Sequence, residues 1–229
     1  MLHHKCLLIG ILLFYALSLH AEIRIVCTAA LLGLQADLRQ QEYIHSVNII
    51  QKLGYEPYII EACTIQGPTF LDKYSNHVFY ATVNNPTLKN KGVNEGKTLL
   101  QGLQSFNFHE EDMVIKLTGR YYFCSDYIIR TIEKHPHVDA FFVLAEEGTQ
   151  VFTGCFAMRY KHLLAMLKSF DYGNMELYMI NIELETAQYI KSKSPHNKLR
   201  VLYMDKVDVQ GKIFGLGNID LKSEVLCSW

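Results

Sequence analysis

Residues Asn84–Phe123 read NNPTLKNKGVNEGKTLLQGLQSFNFHEEDMVIKLTGRYYF. The stretch predicts a loop, an amphipathic helix, a short acidic turn and then a buried strand that ends in a polar loop. Asn90, Lys91, Gly92, Asn94 and Glu95 crowd the start of the helix, and Lys116, Thr118, Gly119 and Arg120 crowd the exit of the strand. In an open α/β sheet, ligands bind beyond the carboxyl ends of the strands, beside helix N-termini that favour anions. Polar residues concentrated at those two ends mark a site more than a core.

Upstream, EIRIVCTAA (Glu22–Ala30) predicts a strand. A helix from Asp37 to about Lys52 follows, with Leu38, Ile44, Val47, Ile50 and Leu53 near helical spacing and Gly54 at its end. Pro57 opens a second strand, YIIEAC, whose unbroken apolar run suits burial on both faces. The three elements form a right-handed βαβ unit, and HVFYATV (His77–Val83) is a third strand. Downstream, Ser125 caps a helix to Lys134, Pro136 stops it, and DAFFVLA is another buried strand. A strand over Val151–Arg159, a helix over Lys161–Phe170, and one long helix over Met175–Lys193 carrying Glu176, Glu183 and Glu185 come next. Pro195 breaks that helix, and LRVLYMDKVDVQG predicts a strand and hairpin. Strands alternating with helices define an α/β protein with a sheet mostly parallel in its N-terminal half and antiparallel pieces after about residue 150.

The 229 residues carry a formal charge of -1, which offers no general electrostatic attraction for nucleic acid or anionic lipid. Any phosphate must be held by a local set of donors. The opening MLHHKCLLIGILLFYALSLHA has a weakly basic start, an apolar run from Cys6 to Leu19 and a small Ala21, the pattern of a signal peptide cut after Ala21. Leu19 is large for its place before the cut. The run is short for a membrane span of roughly 20 residues, which ranks a signal anchor second and a buried helix third. The expectation is residues 1–21 as leader, 22–229 as one domain, and an exported, envelope-associated or secretory-lumen location. Beyond the leader, Cys27, Cys63, Cys124, Cys155 and Cys227 follow neither zinc nor dense disulfide spacing, so buried thiols are expected, with room for one disulfide. The histidines outside the leader (45, 77, 109, 135, 137, 162 and 196) include no pair at helical ligand spacing.

NKGVNEGK is neither a Walker A loop nor a GxGxxG fingerprint. Asn90 or Asn94 can cap the helix and leave N–H groups for a diphosphate, or the segment is a solvated helix start. In MVIKLTGRYYF, Lys116 and Arg120 flank an apolar strand, and Gly119 allows close approach to the backbone. Arg supplies a bidentate fork for phosphate and Lys a mobile point charge; the competing reading is an ion pair at the sheet rim. Glu176 and Glu183 share a helix face and Glu185 points away from it, so at most one of Glu183 and Glu185 faces the pocket, as a general base or a solvated carboxylate.

Taken in order, these segments resemble a GT-A-fold glycosyltransferase over about Ile23 to Ile190. The carriers are Thr28 ending the first strand, Glu61 ending YIIEAC, NKGVNEGKTLLQGL before DMVIKLTGRYYF, and GCFAMRYKHLLAML before the Glu183 region. NKGVNE with IKLTGRY is also similar to poorly characterised bacterial and viral glycosyltransferase-like proteins. The resemblance implies a three-layer α/β sandwich with a mostly parallel central sheet, the nucleotide-diphospho-sugar transferase fold. It implies a nucleotide-diphosphate sugar donor and a glycan or other hydroxyl acceptor, in glycan or surface polysaccharide synthesis. Thr28 and Glu61 are then expected at the nucleoside, and Asn90, Lys91, Asn94, Lys116, Thr118, Gly119 and Arg120 at phosphates or sugar. Glu183 is expected as the base of an inverting reaction.

The family's Asp-x-Asp, which binds Mg²⁺ or Mn²⁺, is replaced here by Thr118-Gly119-Arg120. The expectation is that Arg120 and Lys116 neutralise the leaving diphosphate in place of the ion, since Asp112 stands at the other end of the strand; Mg²⁺ or Mn²⁺ held elsewhere, or lost activity, are the alternatives. A catalytically idle envelope module that binds carbohydrate or a protein is the rival reading, and a nucleotidyltransferase is the weaker third.

Overall fold

The computed structural model describes residues 21–30, 36–62, 67–194, 198–213 and 217–220. The expected leader up to residue 20, and the thiols of Cys63 and Cys227, lie outside the described residues. β1 (Ile23–Ala29), α1 (Ala36–Lys52) and β2 (Pro57–Glu61) form the expected parallel βαβ unit. β3 (His77–Tyr80), α2 (Lys91–Ser105) and β4 (Met113–Thr118) continue it. After β5 (Tyr121–Phe123) come α3 (Tyr127–Lys134), β6 (Ala140–Ala145), β7 (Gln150–Val151) and β8 (Cys155–Arg159). α4 (Tyr160–Ser169), α5 (Tyr172–Tyr178), α6 (Ile182–Lys193), β9 (Val201–Met204), β10 (Val209–Ile213) and β11 (Gly217–Asp220) complete the order.

The central sheet runs β3-β2-β1-β4-β8-β6, with β7 and β9 both on β6. β3, β2, β1 and β4 are parallel, whereas β8 is antiparallel to both its neighbours. Alternation along each strand builds two cores. Val26, Val114, Phe142, Phe156 and Met158 point to the face covered by α2, α4 and α6. Ile25, Cys27, Ile115, Leu117, Phe141 and Ala157 point to the face covered by α3 and by Ile50 of α1. The result is the three-layer α/β sandwich with a mostly parallel sheet, with both faces of the strands buried as their continuous apolar runs require. Among the described residues no helix is long and apolar enough to cross a membrane.

Four expected features differ. The strand expected over Val151–Arg159 is two strands, β7 on β6 and β8 between β4 and β6, and the cap position before α3 is Asp126 rather than Ser125, whose hydroxyl accepts from Tyr127 N–H at 3.2 Å. The long helix over Met175–Lys193 is two helices, because Met179 takes a left-handed conformation (φ 54°, ψ 36°) and Asn181 starts α6 by accepting the Leu184 N–H at 2.8 Å. The C-terminal hairpin is also split. β9 joins β6 in the central sheet, while β10 pairs with β5 and β11 in a small second sheet. Asp208, at φ 54°, lies between them, and its carbonyl accepts from Cys124 N–H at 2.9 Å.

Candidate functional site

β1 feeds α1 on one face of the sheet, and α2 feeds β4 on the other. The carboxyl ends of β1 and β4 are therefore a topological switch point, where the two connections diverge and leave a crevice. A cavity of about 480 Å³ fills it. Thr28 and Thr118, register partners on β1 and β4, line its floor. Arg39 and Tyr43 of α1 form one wall, and Lys91, Asn94, Glu95 and Thr98 of α2 the other. Tyr43 is tied to the end of β1: its hydroxyl accepts from Ala30 N–H at 2.9 Å, and Arg39 Nη1 donates to Ala30 O at 3.1 Å. Burial raises the Tyr43 phenol above its usual range, opposed by the bond to Ala30 and aided by the charge of Glu61.

The four α2 residues are spaced i, i+3, i+4 and i+7, one polar stripe along a helix that otherwise buries Val93, Leu99 and Leu103. Two of the first-turn N–H groups expected to face a diphosphate are bonded within the helix itself. Asn90 Oδ1 takes the Gly92 N–H at 2.9 Å, and Asn90 O takes that of Val93 at 3.2 Å. α6 also closes over this end, since a Cβ on Gly92 would lie 3.1 Å from Ile182 N. Asn90 is itself a clamp, 6% exposed, whose Nδ2 donates to Met175 O at 2.8 Å and Ile180 O at 2.7 Å. Glu176 belongs to the same joint, accepting from the N–H groups of Lys89 and Asn90 at 2.9 and 3.0 Å. Asn94 lines the cavity while its amide group bonds Asn85 N and O at 2.9 and 2.7 Å.

Three further expected contacts are redirected by the fold. Lys116 sits inside β4, 1% exposed, on the α2 face, and its ammonium is spent on Glu95, Thr118 Oγ1 at 2.9 Å and Thr153 O at 2.8 Å. It orients Glu95 and has no N–H left for a phosphate. Gly119 does admit a close neighbour, but that neighbour is the protein itself. A Cβ there would lie 2.8 Å from the Tyr43 ring and 2.9 Å from Thr28 O, to which Gly119 N–H donates at 2.8 Å. Glu61 shares the face of Ile59, on the α1 side of β2, and is fully buried outside the cavity wall.

Arg120 stands where the sequence put it. The chain turns out of the central sheet at Gly119, and Ser46 Oγ donates to Tyr121 O at 2.6 Å, fixing the start of β5. Between these anchors Arg120 lines the large cavity and also a second one of about 290 Å³. Glu95 and Thr118 line both as well, so the two cavities meet at these three residues. Among the described residues no carboxylate lies within ion-pair distance of the Arg120 guanidinium. Glu183, in the first turn of α6, lines the smaller cavity and accepts from Thr153 Oγ1 at 2.7 Å. Through Thr153, Lys116 and Glu183 share one support, so Glu95 and Glu183 are braced by a single short segment of chain.

The donor set does not fit a divalent ion at the Thr118-Gly119-Arg120 turn. Among the described residues no three His, Cys, Asp or Glu side chains gather to hold a metal ion, and of the carboxylates that share the smaller cavity with Arg120, Glu95 is paired with Lys116, Glu146 accepts from Gln150 and Glu183 accepts from Thr153. Asp112 lies at the opposite edge, holding Arg24 Nε at 3.1 Å and Glu22 N–H at 2.9 Å. Arg39, Thr98 and Thr153 join the site without having been singled out from the sequence, and Glu95 was read there only as one of the polar residues at the helix start. The polar stripe of α2 was a readable signal for Glu95 and Thr98. Arg39 and Thr153 arrive from distant segments and carried none.

No protein-family model and no curated protein matches the sequence. Similar solved structures include a Desulfovibrio desulfuricans G20 protein assigned to the nucleotide-diphospho-sugar transferases, at 14% identity over 81% of this chain and 80% of that one, with a TM-score of 0.48. Another is a glycosyltransferase involved in glycosylation of the major capsid of PBCV-1, at 12% identity over 80% and 81%, with a TM-score of 0.46. A third is a 4-diphosphocytidyl-2C-methyl-D-erythritol synthase, at 12% identity over 89% and 94%, with a TM-score of 0.49. At such identities the chemistry of the site is read from its own residues.

Proposed function

We propose that the chain is a glycosyltransferase that moves a sugar from a nucleoside-diphosphate donor to a hydroxyl acceptor. The observation that carries this reading is Arg120, a guanidinium at the junction of two cavities at the carboxyl edge of the sheet, without a carboxylate partner among the described residues. In sugar transfer the bond between the anomeric carbon and the donor phosphate breaks, and negative charge grows on the departing diphosphate. A planar fork of N–H donors aimed at that charge lowers the barrier, more so in a crevice shielded from water. Lys91, on the wall of the large cavity, adds a second cation on the donor side.

The acceptor enters the smaller cavity, and Glu183 takes its proton as the hydroxyl attacks the anomeric carbon in an inverting transfer. A Thr153 hydroxyl bond orients that carboxylate. The substrates belong to glycan or surface polysaccharide synthesis, and the N-terminal leader would deliver the domain to the envelope or a secretory lumen.

Calorimetric titration with UDP, CDP, GDP and ADP, alongside a donor-hydrolysis assay with Mn²⁺ or EDTA, tests the reading. One of the four should bind, and Arg120→Ala should weaken it by about ten- to a hundredfold, the worth of hydrogen bonds to a charged group. Hydrolysis should survive EDTA. An Arg120→Ala protein that binds and turns over like the parent would remove the guanidinium from its role, and a parent that binds none of the four would leave the chain a partner-binding module.

A further inference from the structure

Among the described residues three tyrosines are buried, Tyr43, Tyr121 and Tyr160. A buried tyrosine ordinarily finds a partner for its hydroxyl. Tyr43 uses Ala30, and Tyr160 donates to Leu103 O at 2.9 Å. The Tyr121 hydroxyl makes no hydrogen bond among the described residues, and it is not one of the polar atoms that the fold seals off from solvent. The opening it reaches is the smaller cavity, which Tyr121 lines while taking no part in the larger one. The ring is fixed in place. Its backbone is held by Ser46 and by pairing with Gly211 on β10, and two glycines make room for the side chain. A Cβ on Gly154 would lie 2.6 Å from the ring, and one on Gly211 would lie 2.0 Å from it. Phe152, another liner of the cavity, meets it edge-on with ring centroids 5.8 Å apart. Burial raises the phenol to about 12 against the pull of Arg120, with Glu95 and Glu183 adding to the rise, so the group keeps its proton and is able to donate.

The lining around this hydroxyl is of two kinds. The rings of Tyr121 and Phe152 offer an apolar surface, and Glu146 and Glu183 offer carboxylates whose partners are neutral, Gln150 for one and Thr153 for the other. Arg120 is committed to the diphosphate once the donor is bound. A sugar ring matches this set, with C–H faces for the aromatic surface and a rim of hydroxyls for the carboxylates and the phenol. A volume of about 290 Å³ is at the small end of ligand pockets and suits one sugar residue. We infer that Tyr121 binds the acceptor through its hydroxyl, and that this acceptor is a sugar residue without negative charge. This rests on the reading of the smaller cavity as the acceptor's. Glu183 takes the proton of the attacking hydroxyl, while Tyr121 donates to a neighbouring oxygen of the ring and so selects which hydroxyl attacks. An anionic acceptor is disfavoured, because it would meet two carboxylates and a diphosphate with no cation to spare.

The test uses methyl glycosides of glucose, galactose, mannose and N-acetylglucosamine, with each hexose set beside its uronic acid. They are titrated into the protein saturated with the nucleoside diphosphate it prefers, and binding is read by saturation-transfer NMR. Tyr121→Phe keeps the ring and removes only the hydroxyl. At least one neutral glycoside should bind the parent, and its uronic acid should bind about tenfold more weakly or not at all. Tyr121→Phe should weaken the neutral glycoside by about three- to tenfold, the worth of one neutral hydrogen bond. The same variant should bind the nucleotide like the parent and keep its thermal midpoint, since no bond within the protein is lost. Parental glycoside affinity in Tyr121→Phe, or a midpoint that falls, would overturn the assignment. So would a parent that takes a nucleotide but no glycoside, or that takes the uronic acid equally well, and each of these results leaves the larger cavity a nucleotide site. A parent protein that binds no nucleotide would overturn both readings.

Discussion

An ammonium group has three N–H bonds, and on Lys116 all three are used, by Glu95, Thr118 and Thr153. The side chain is 1% exposed and Glu95 about a third exposed, so this pair is half in water and half in the core. Removing the cation strands a carboxylate and two oxygens beside apolar packing. Lys116→Met should therefore cost about 2–4 kcal/mol in a denaturant titration at neutral pH. It should also free Glu95 to turn toward Arg120, which would weaken nucleotide binding. From the sequence, Lys116 and Arg120 look like equal members of one basic tip, four residues apart in MVIKLTGR. Strand alternation separates them: Lys116 shares the inward face of Val114, and Arg120 lies past the last strand residue, where the chain has already left the sheet. One became a brace and the other the half-buried cation at the cavity junction.

The joint between α2 and the α5–α6 turn is held by two side chains, Asn90 and Glu176, of which Asn90 makes the buried bonds. Asn90 caps α2 and also ties down Met175 O and Ile180 O, the carbonyls on either side of the left-handed Met179. Asn90→Ala should lower stability by about 2–4 kcal/mol, one part from the lost cap and the rest from two buried carbonyls left unpaired. Because the same joint sets where α6 begins, the variant should also displace Glu183 and reduce turnover more than nucleotide affinity. That difference is measurable by comparing donor hydrolysis with calorimetry. The cap was readable in NKGVNE, and the clamp was not. Nothing local in the stretch says that the turn 86 residues downstream packs onto it.

Far from the site, Asp139 fastens the β8–β6–β9 half of the sheet. Its carboxylate accepts from Arg159 Nε at 3.1 Å, and from Arg200 Nε at 2.9 Å and Nη2 at 2.8 Å. Burial pushes this carboxyl upward, but the hydrogen bonds and charge of Arg200, then Arg159, outweigh it and pull it down to about 2 from an ordinary 3.8. A depressed carboxyl stabilises the fold above its unfolded value and loses that contribution as pH falls through the folded one. The molecule should accordingly shed about 2 kcal/mol between pH 4 and pH 2 from this group alone. Asp139→Asn should remove that stabilisation at pH 7 and flatten the acid limb of an unfolding profile followed by circular dichroism.

Local pattern determined the strands β1, β2, β4 and β6, the cap at Asn90, the α/β class and the polar tip at Arg120, because a period of 2 or 3.6 and a capping residue act within a few positions of themselves. Tertiary structure alone decided that Glu61 faces away from the crevice, that Lys116 is consumed by Glu95 and Thr153, that the acidic helix breaks at Met179, and that β5 leaves the central sheet for β10. Each of those depends on which segment arrives from 20 to 90 residues away and on which face of a strand it meets. That information lies in the packing between elements, where no window of neighbouring residues records it.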